Sequence, residues 1–131
     1  MATIKRFEDL EIWQEARRLS KEVISISKTT ELNRDFKLKD QIKGSSGSVM
    51  DNIAEGFERN GNGEFKQFLA IEKGSAGETR SQLYRVFDNE YINEMQFNIL
   101  IAEYEKLSVK IHNFIVYLNK KDFKGTKFIS S

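Results

Sequence analysis

The sequence predicts an all-α protein, folded as an antiparallel up-down-up-down four-helix bundle in a single domain over residues 1–131. Three observations predict it. The chain contains no proline and 31% of its residues are charged, a composition that suits long solvent-facing helices better than a sheet with tight turns. Apolar residues recur at three- and four-residue steps through four stretches, which is the helical period. The links between those stretches are short, and short links make consecutive helices antiparallel neighbours. A chain of 131 residues supports one modest core and is too short for two comfortable domains.

The first helix is expected from about 9 to 28, with Leu10, Trp13, Ala16 or Arg17, Ser20, Val23, Ile24 and Ser27 on its inward stripe and Glu11, Glu15, Arg18 and Glu22 on its polar side. A hydrophilic link, TTELNRDF, follows. The second helix, about 38–60, places Leu38, Ile42, Ser45, Val49, Ile53 and Phe57 on one stripe. The third, about 62–90, uses Phe65, Phe68, Leu69, Ile71, Leu83, Val86 and Phe87. Between them Gly61 suits a left-handed position just past a helix end, and Asn62 suits the cap of the next helix. The fourth helix, about 94–119, has the clearest start: Asn93 and Gln96 stand at capping-box spacing, with Ile92 and Phe97 placed as a hydrophobic staple. Its inward residues are Leu100, Ile101, Tyr104, Leu107, Ile111, Phe114, Ile115 and Leu118. The basic tail from about 120 lacks helical period and is expected to be loosely ordered.

Five glycines sit inside helical pattern: Gly44, Gly47, Gly56, Gly74 and Gly77. Each costs about 1 kcal/mol of helix propensity relative to alanine, so a compensating contact is expected. A phosphate-cradling loop is not that contact, because the G-x-x-x-x-G-K-[ST] spacing is absent and no strand precedes the stretch. With the hairpin turning at Gly61, antiparallel neighbours on helices two and three have numbers summing to about 122. That pairs Gly47 with Ser75, Ser45 with Gly77 and Ser48 with Gly74, and predicts a close-packed small-residue seam, within the bundle or against a second chain. Gln41 near Ser81 and Asp40 near Gln82 then form a polar layer beside it.

No constellation for catalysis or metal binding emerges, so no cofactor and no enzymatic activity are expected. Cysteine is absent, which excludes disulfides, thiolate metal sites and cysteine nucleophiles. The one histidine, His112, has Val109 where a di-iron bundle needs glutamate, and no arginine at the upstream spacing of a helical ribonuclease. No apolar run has the length of a signal peptide or a membrane span, so a cytoplasmic location without membrane association is expected.

Net charge is +1, unevenly spread: residues 1–50 carry 10 Lys and Arg against 8 Asp and Glu, residues 51–105 carry 5 against 11, and residues 106–131 carry 6 against 1. Basic ends around an acidic middle suit contact with RNA or DNA phosphates, or a solvated or self-associating surface. The nucleic-acid-contacting candidates are Arg17, Arg18 and Lys21 on the first helix, Lys39 and Lys43 on the second, and Lys106, Lys110, Lys120, Lys121 and Lys124 at the end. A large aromatic load, Trp13, Phe57, Tyr84 and Tyr91, exceeds what a small bundle encloses and points to a homo-oligomer.

FEDLEIWQEARRLSKEV at 7–23, QIKGSSGSVMDNIAEGFER at 41–59 and EFKQFLAIEKGSAGETRSQL at 64–83 resemble the four-helix-bundle family of 23S ribosomal RNA intervening sequence proteins, also called the S23 ribosomal protein family, over about 10–118. Trp13, Gln41, Asn52, Glu55 and Glu78 fall in the motifs that carry the likeness. The resemblance implies a bacterial cytoplasmic protein that assembles as a homopentamer. It also implies that RNA or DNA, and a protein partner such as a reverse transcriptase, are possible ligands, because a similar protein is the accessory variability determinant of diversity-generating retroelements. It assigns no catalytic residue. The sequence departs from the family at Lys43-Gly44, where many relatives carry two basic residues, and at Glu72-Lys73, where a small residue is common. Two functions stay open: an oligomer that binds nucleic acid through basic surface, and a structural or adaptor oligomer that recruits another protein. Glu55 is expected to pair with Lys66 or with Arg59, the latter at i, i+4 spacing.

Overall fold

A computed structural model describes residues 4–120. Four helices build the fold: α1 Glu11–Thr29, α2 Phe36–Glu58, α3 Asn62–Asp88 and α4 Glu94–Asn119. Short 3-10 turns precede α1 at Phe7–Asp9 and link α1 to α2 at Glu31–Arg34. Helix α1 packs on α2, α2 on α3, α3 on α4 and α4 back on α1, so the bundle closes as a square with α1/α3 and α2/α4 on its diagonals. Lys121 and Lys124, with most of the predicted basic tail, lie outside the described residues.

The cap chemistry fixes where α4 begins. The Asn93 side chain accepts from the Gln96 backbone at 2.8 Å and the Gln96 side chain accepts from the Asn93 backbone at 3.1 Å, a complete capping box. Asp35 caps α2 in the same way, accepting from the Leu38 N–H. The α2–α3 turn differs from the expectation. Asn60, at φ 60°, takes the left-handed position, whereas Gly61 is extended at φ −131° and stands as the N-cap of α3. Asparagine visits this region more readily than most residues because its short polar side chain can hydrogen-bond to the nearby backbone. Asn62 therefore opens α3, and its side chain donates to the Leu118 carbonyl at 2.8 Å, tying the α2–α3 turn to the end of α4.

The core bears out the predicted inward stripes of α2 and α4 and most of that of α1. All six stripe residues predicted for α2 are buried. On α1 the buried residues are Ile12, Ala16, Leu19, Ser20, Val23, Ile26 and Ser27. Leu10 is the N-cap and is itself buried, and the predicted Ala16, Ser20, Val23 and Ser27 lie in the core, whereas Trp13 and Ile24 are half-buried at its edge and Ile12, Leu19 and Ile26 complete the face. In the α1–α2 link, Leu32 is fully buried and plugs that end of the bundle. On α3, Ile71 is 54% exposed, contrary to expectation. Steps of three and four from Phe65 and Leu69 lead to position 72, so Glu72 occupies the core slot and Ile71 turns out to solvent.

Of the four aromatics expected to overload the bundle, Phe57 is fully enclosed. Trp13 is half-buried edge-on to Phe7 at 5.1 Å. Tyr91 is half-buried and donates to Asp35 at 2.9 Å. Tyr84 alone of the four is exposed.

Candidate nucleic-acid interface and the polar core beneath it

The predicted basic residues divide into groups. Arg18 is held in the α1–α4 groove between Glu103 at 2.7 Å and Glu15 at 3.0 Å, and these carboxylates raise its pKa. Lys110 is paired with Glu11 across the same groove, which likewise raises its pKa. Both cations are thus committed to glutamates across the α1–α4 groove. Lys39 donates to the Asn33 carbonyl at 3.1 Å and lies 4.9 Å from the Phe36 ring centroid.

Arg17, Lys21 and Lys43 are exposed and form no ion pair among the described residues. Arg17 and Lys21 are one turn apart on α1, so they share a face. Helices α1 and α2 run antiparallel from the same link, and Lys21 lies eight residues before Thr29 while Lys43 lies seven after Phe36, which brings the two to one level. Arg17 extends over the Trp13 ring at 5.7 Å, an arrangement that keeps its guanidinium spread along the surface. Lys106 and Lys120 are also exposed, but they stand on α4, diagonal to α2. The structure therefore assembles Arg17, Lys21, Lys39 and Lys43 along one α1–α2 groove and separates them from Lys106 and Lys120.

The motif residues have structural partners. Gln41 accepts from Arg85 at 2.9 Å across α2–α3. Asn52 donates at 2.8 Å both to the Ser48 carbonyl and to its hydroxyl. Glu55 pairs with Arg59 at 3.1 Å, while Lys66 instead reaches Asn119. Glu78 is exposed.

The α2–α3 seam is polar rather than glycine-lined. Ser48 and Ser75 share a hydrogen bond at 3.1 Å. Thr79 donates to Ser45 at 2.8 Å, and Ser45 donates to Gln82 at 2.6 Å. The level expected for Ser48 was right within one residue, but hydroxyls make the contact. A Cβ added at Gly44, Gly47, Gly74 or Gly77 would meet nothing within 4 Å. These four glycines correct the predicted seam: they point away from it. Gly56 is the true close approach, since a Cβ there would stand 2.5 Å from the Phe68 Cβ.

Beneath this surface lies a group that sequence reasoning missed. Glu72 on α3 is fully buried, and neither carboxylate oxygen has a hydrogen-bond partner among the described residues. Burial alone pushes its pKa well above the ordinary carboxylate range, because no nearby charge offsets the desolvation. The hydroxyls of Tyr104 and Ser108 on α4 are buried and unpartnered as well. Both stand on α4, which packs directly against α3. The signal for Glu72 was its place in the sequence, at steps of three and four from Phe65 and Leu69.

These features define an antiparallel four-helix-bundle protein with a divided basic surface and a partly unsatisfied polar core. The chain belongs to the 23S rRNA-intervening sequence protein family, whose profile matches residues 8–113. A solved structure from Bacteroides thetaiotaomicron VPI-5482, a protein of unknown function from the S23 ribosomal protein family, is similar to it with a TM-score of 0.73 and 20% identity over 79% of this chain and 97% of that one. That likeness is one of fold. No curated protein matches the sequence. Among the described residues no helix is long and apolar enough to cross a membrane.

Proposed function

We propose that the protein is a non-enzymatic, cytoplasmic homo-oligomer of the bacterial cell, five copies as the family resemblance implies, that binds RNA or DNA along the α1–α2 groove. The observation that supports this most is that Lys21 and Lys43 stand at one level, with Arg17 one turn away on α1, and that none of the three has an acidic partner among the described residues, where Arg18 and Lys110 are paired with glutamates. Cations left free in a row suit a phosphate backbone, whose binding releases counterions and weakens steeply with salt. Lys39 extends the row toward the α1–α2 link. Aromatic stacking plays a small part, since most phenylalanines face the core.

A gel-shift titration with structured RNA and with duplex DNA tests the reading. Micromolar or tighter association that weakens with salt is expected, with a shallower salt dependence for the Arg17→Gln/Lys21→Gln/Lys43→Gln variant. No shift for wild type at low salt overturns it. The near-neutral net charge of +1 favours a second reading, an adaptor oligomer that recruits a protein such as a reverse transcriptase. A specific protein partner retained at high salt, together with no nucleic-acid shift, selects that reading.

A further inference from the structure

The outer face of α4 is largely apolar. Met95, Ile99 and Val109 are 68%, 55% and 58% exposed, and Ala102 and Val116 continue the line, with Lys106 at its centre and the exposed Asn113 as its other polar member. The spacing alternates four and three residues, the a/d pattern of a helix seam, and a lysine at such a position is a device that sets register. This seam faces away from the protomer's core, and no other helix among the described residues covers it.

The diagonal helix α2 presents a line of the same spacing. Gly44, Gly47, Asp51 and Ala54 run along its outer face, with no side-chain bulk at the glycines. Helices α2 and α4 are the second and fourth of an up-down-up-down bundle and so point the same way. Laid parallel at a constant offset of 55 residues, the two lines match layer by layer: Ile99 meets Gly44, Ala102 meets Gly47, Lys106 meets Asp51 and Val109 meets Ala54. Large side chains fall opposite small ones, and the cation falls opposite a carboxylate. The Met95–Asp40 and Asn113–Glu58 layers at the two ends lack such a match, and Val116 falls beyond the end of α2. Glycine allows the close backbone approach that makes room for the ridge.

We propose that α4 of one copy docks in parallel on α2 of a second copy of this chain, with Ile99 seated at Gly44 and Lys106 paired with Asp51. The contact is head-to-tail, using different surfaces of each protomer, so it propagates until a ring closes. It explains why α2 keeps two helix-weakening glycines that no internal contact requires. It also assigns Lys106 to an interface rather than to phosphate. The inference rests on the homo-oligomer reading and adds its interface.

The cysteine-free chain lends itself to a direct test. Full-length Ile99→Cys and Gly44→Cys chains are co-expressed and mildly oxidised; a disulfide-linked heterodimer is expected, and none from Ile99→Cys with Glu22→Cys on α1. In parallel, light scattering is expected to show Lys106→Asp falling toward the 15.2 kDa single chain and Lys106→Asp/Asp51→Lys regaining the wild-type mass. Circular dichroism confirms that each variant is folded. A wild-type oligomer that gives neither the 99–44 link nor the charge-swap rescue overturns this interface and leaves the homo-oligomer reading standing. A monomeric wild type overturns both.

Discussion

Replacing Glu72 with methionine should stabilise the protein, which is the reverse of what most buried substitutions do. Methionine has similar length, keeps the core slot filled and removes two carboxylate oxygens that have no hydrogen-bond partner among the described residues. An unsatisfied buried polar group costs about 1–3 kcal/mol. At about 4 °C per kcal/mol for a chain of this size, the melting temperature should rise by about 4–12 °C at neutral pH. The pH dependence carries the stricter test. Burial raises the folded-state pKa of Glu72, so the folded protein binds this proton more tightly than the unfolded chain. The stability that proton confers is fully present below the unfolded value of about 4.3 and is lost as pH rises from there toward the raised folded value. Glu72→Gln, which keeps the shape but cannot ionise, should remove that decline, as should Glu72→Met. Thermal melts by circular dichroism from pH 4 to 8, at one fixed protein concentration, compare the three proteins. A wild-type profile parallel to both variants, or a lower melting temperature for Glu72→Met, would refute the reasoning.

Two further predictions concern the backbone. Gly56→Ala places a methyl group 2.5 Å from the Phe68 Cβ and should destabilise by about 1–3 kcal/mol through overpacking, whereas Gly77→Ala, with open space at its Cβ, should gain about 0.5–1 kcal/mol from helix propensity; urea melts of both report the opposite signs. Asn93→Ala removes the capping box of α4 and should cost about 1 kcal/mol, read as a fall of about 4 °C in Tm, while Asn98→Ala on the exposed face of the same helix should leave Tm nearly unchanged.

What the sequence revealed depended on how local the determining physics was. The start of α4 is written in Asn93 and Gln96, three residues apart, and the six inward positions of α2 follow one stripe; both were legible. The face of α1 was legible in part: Ala16, Ser20, Val23 and Ser27 follow the predicted stripe into the core, but Ile12, Leu19 and Ile26 share that face and were left out of it, while Trp13 and Ile24 lie at its edge. Leu32 was hidden among polar neighbours in a link whose burial depends on the far end of the bundle. Glu72 was passed over for Ile71 because apolar character outweighed position. The glycines carried real information, that their backbones are kept bare, but the direction they face depends on helix rotation, which a residue sum cannot supply. For the basic candidates, sequence gave the cations; only the fold separates Arg18 and Lys110, held by glutamates, from Arg17, Lys21 and Lys43.

The central claim is that this bundle works as an assembly of identical chains. Multi-angle light scattering of the purified full-length protein, at physiological salt and free of nucleic acid, tests it most directly. The account predicts a single species of about five times the 15.2 kDa chain mass. A species of one chain mass, unchanged as concentration is raised, would contradict it.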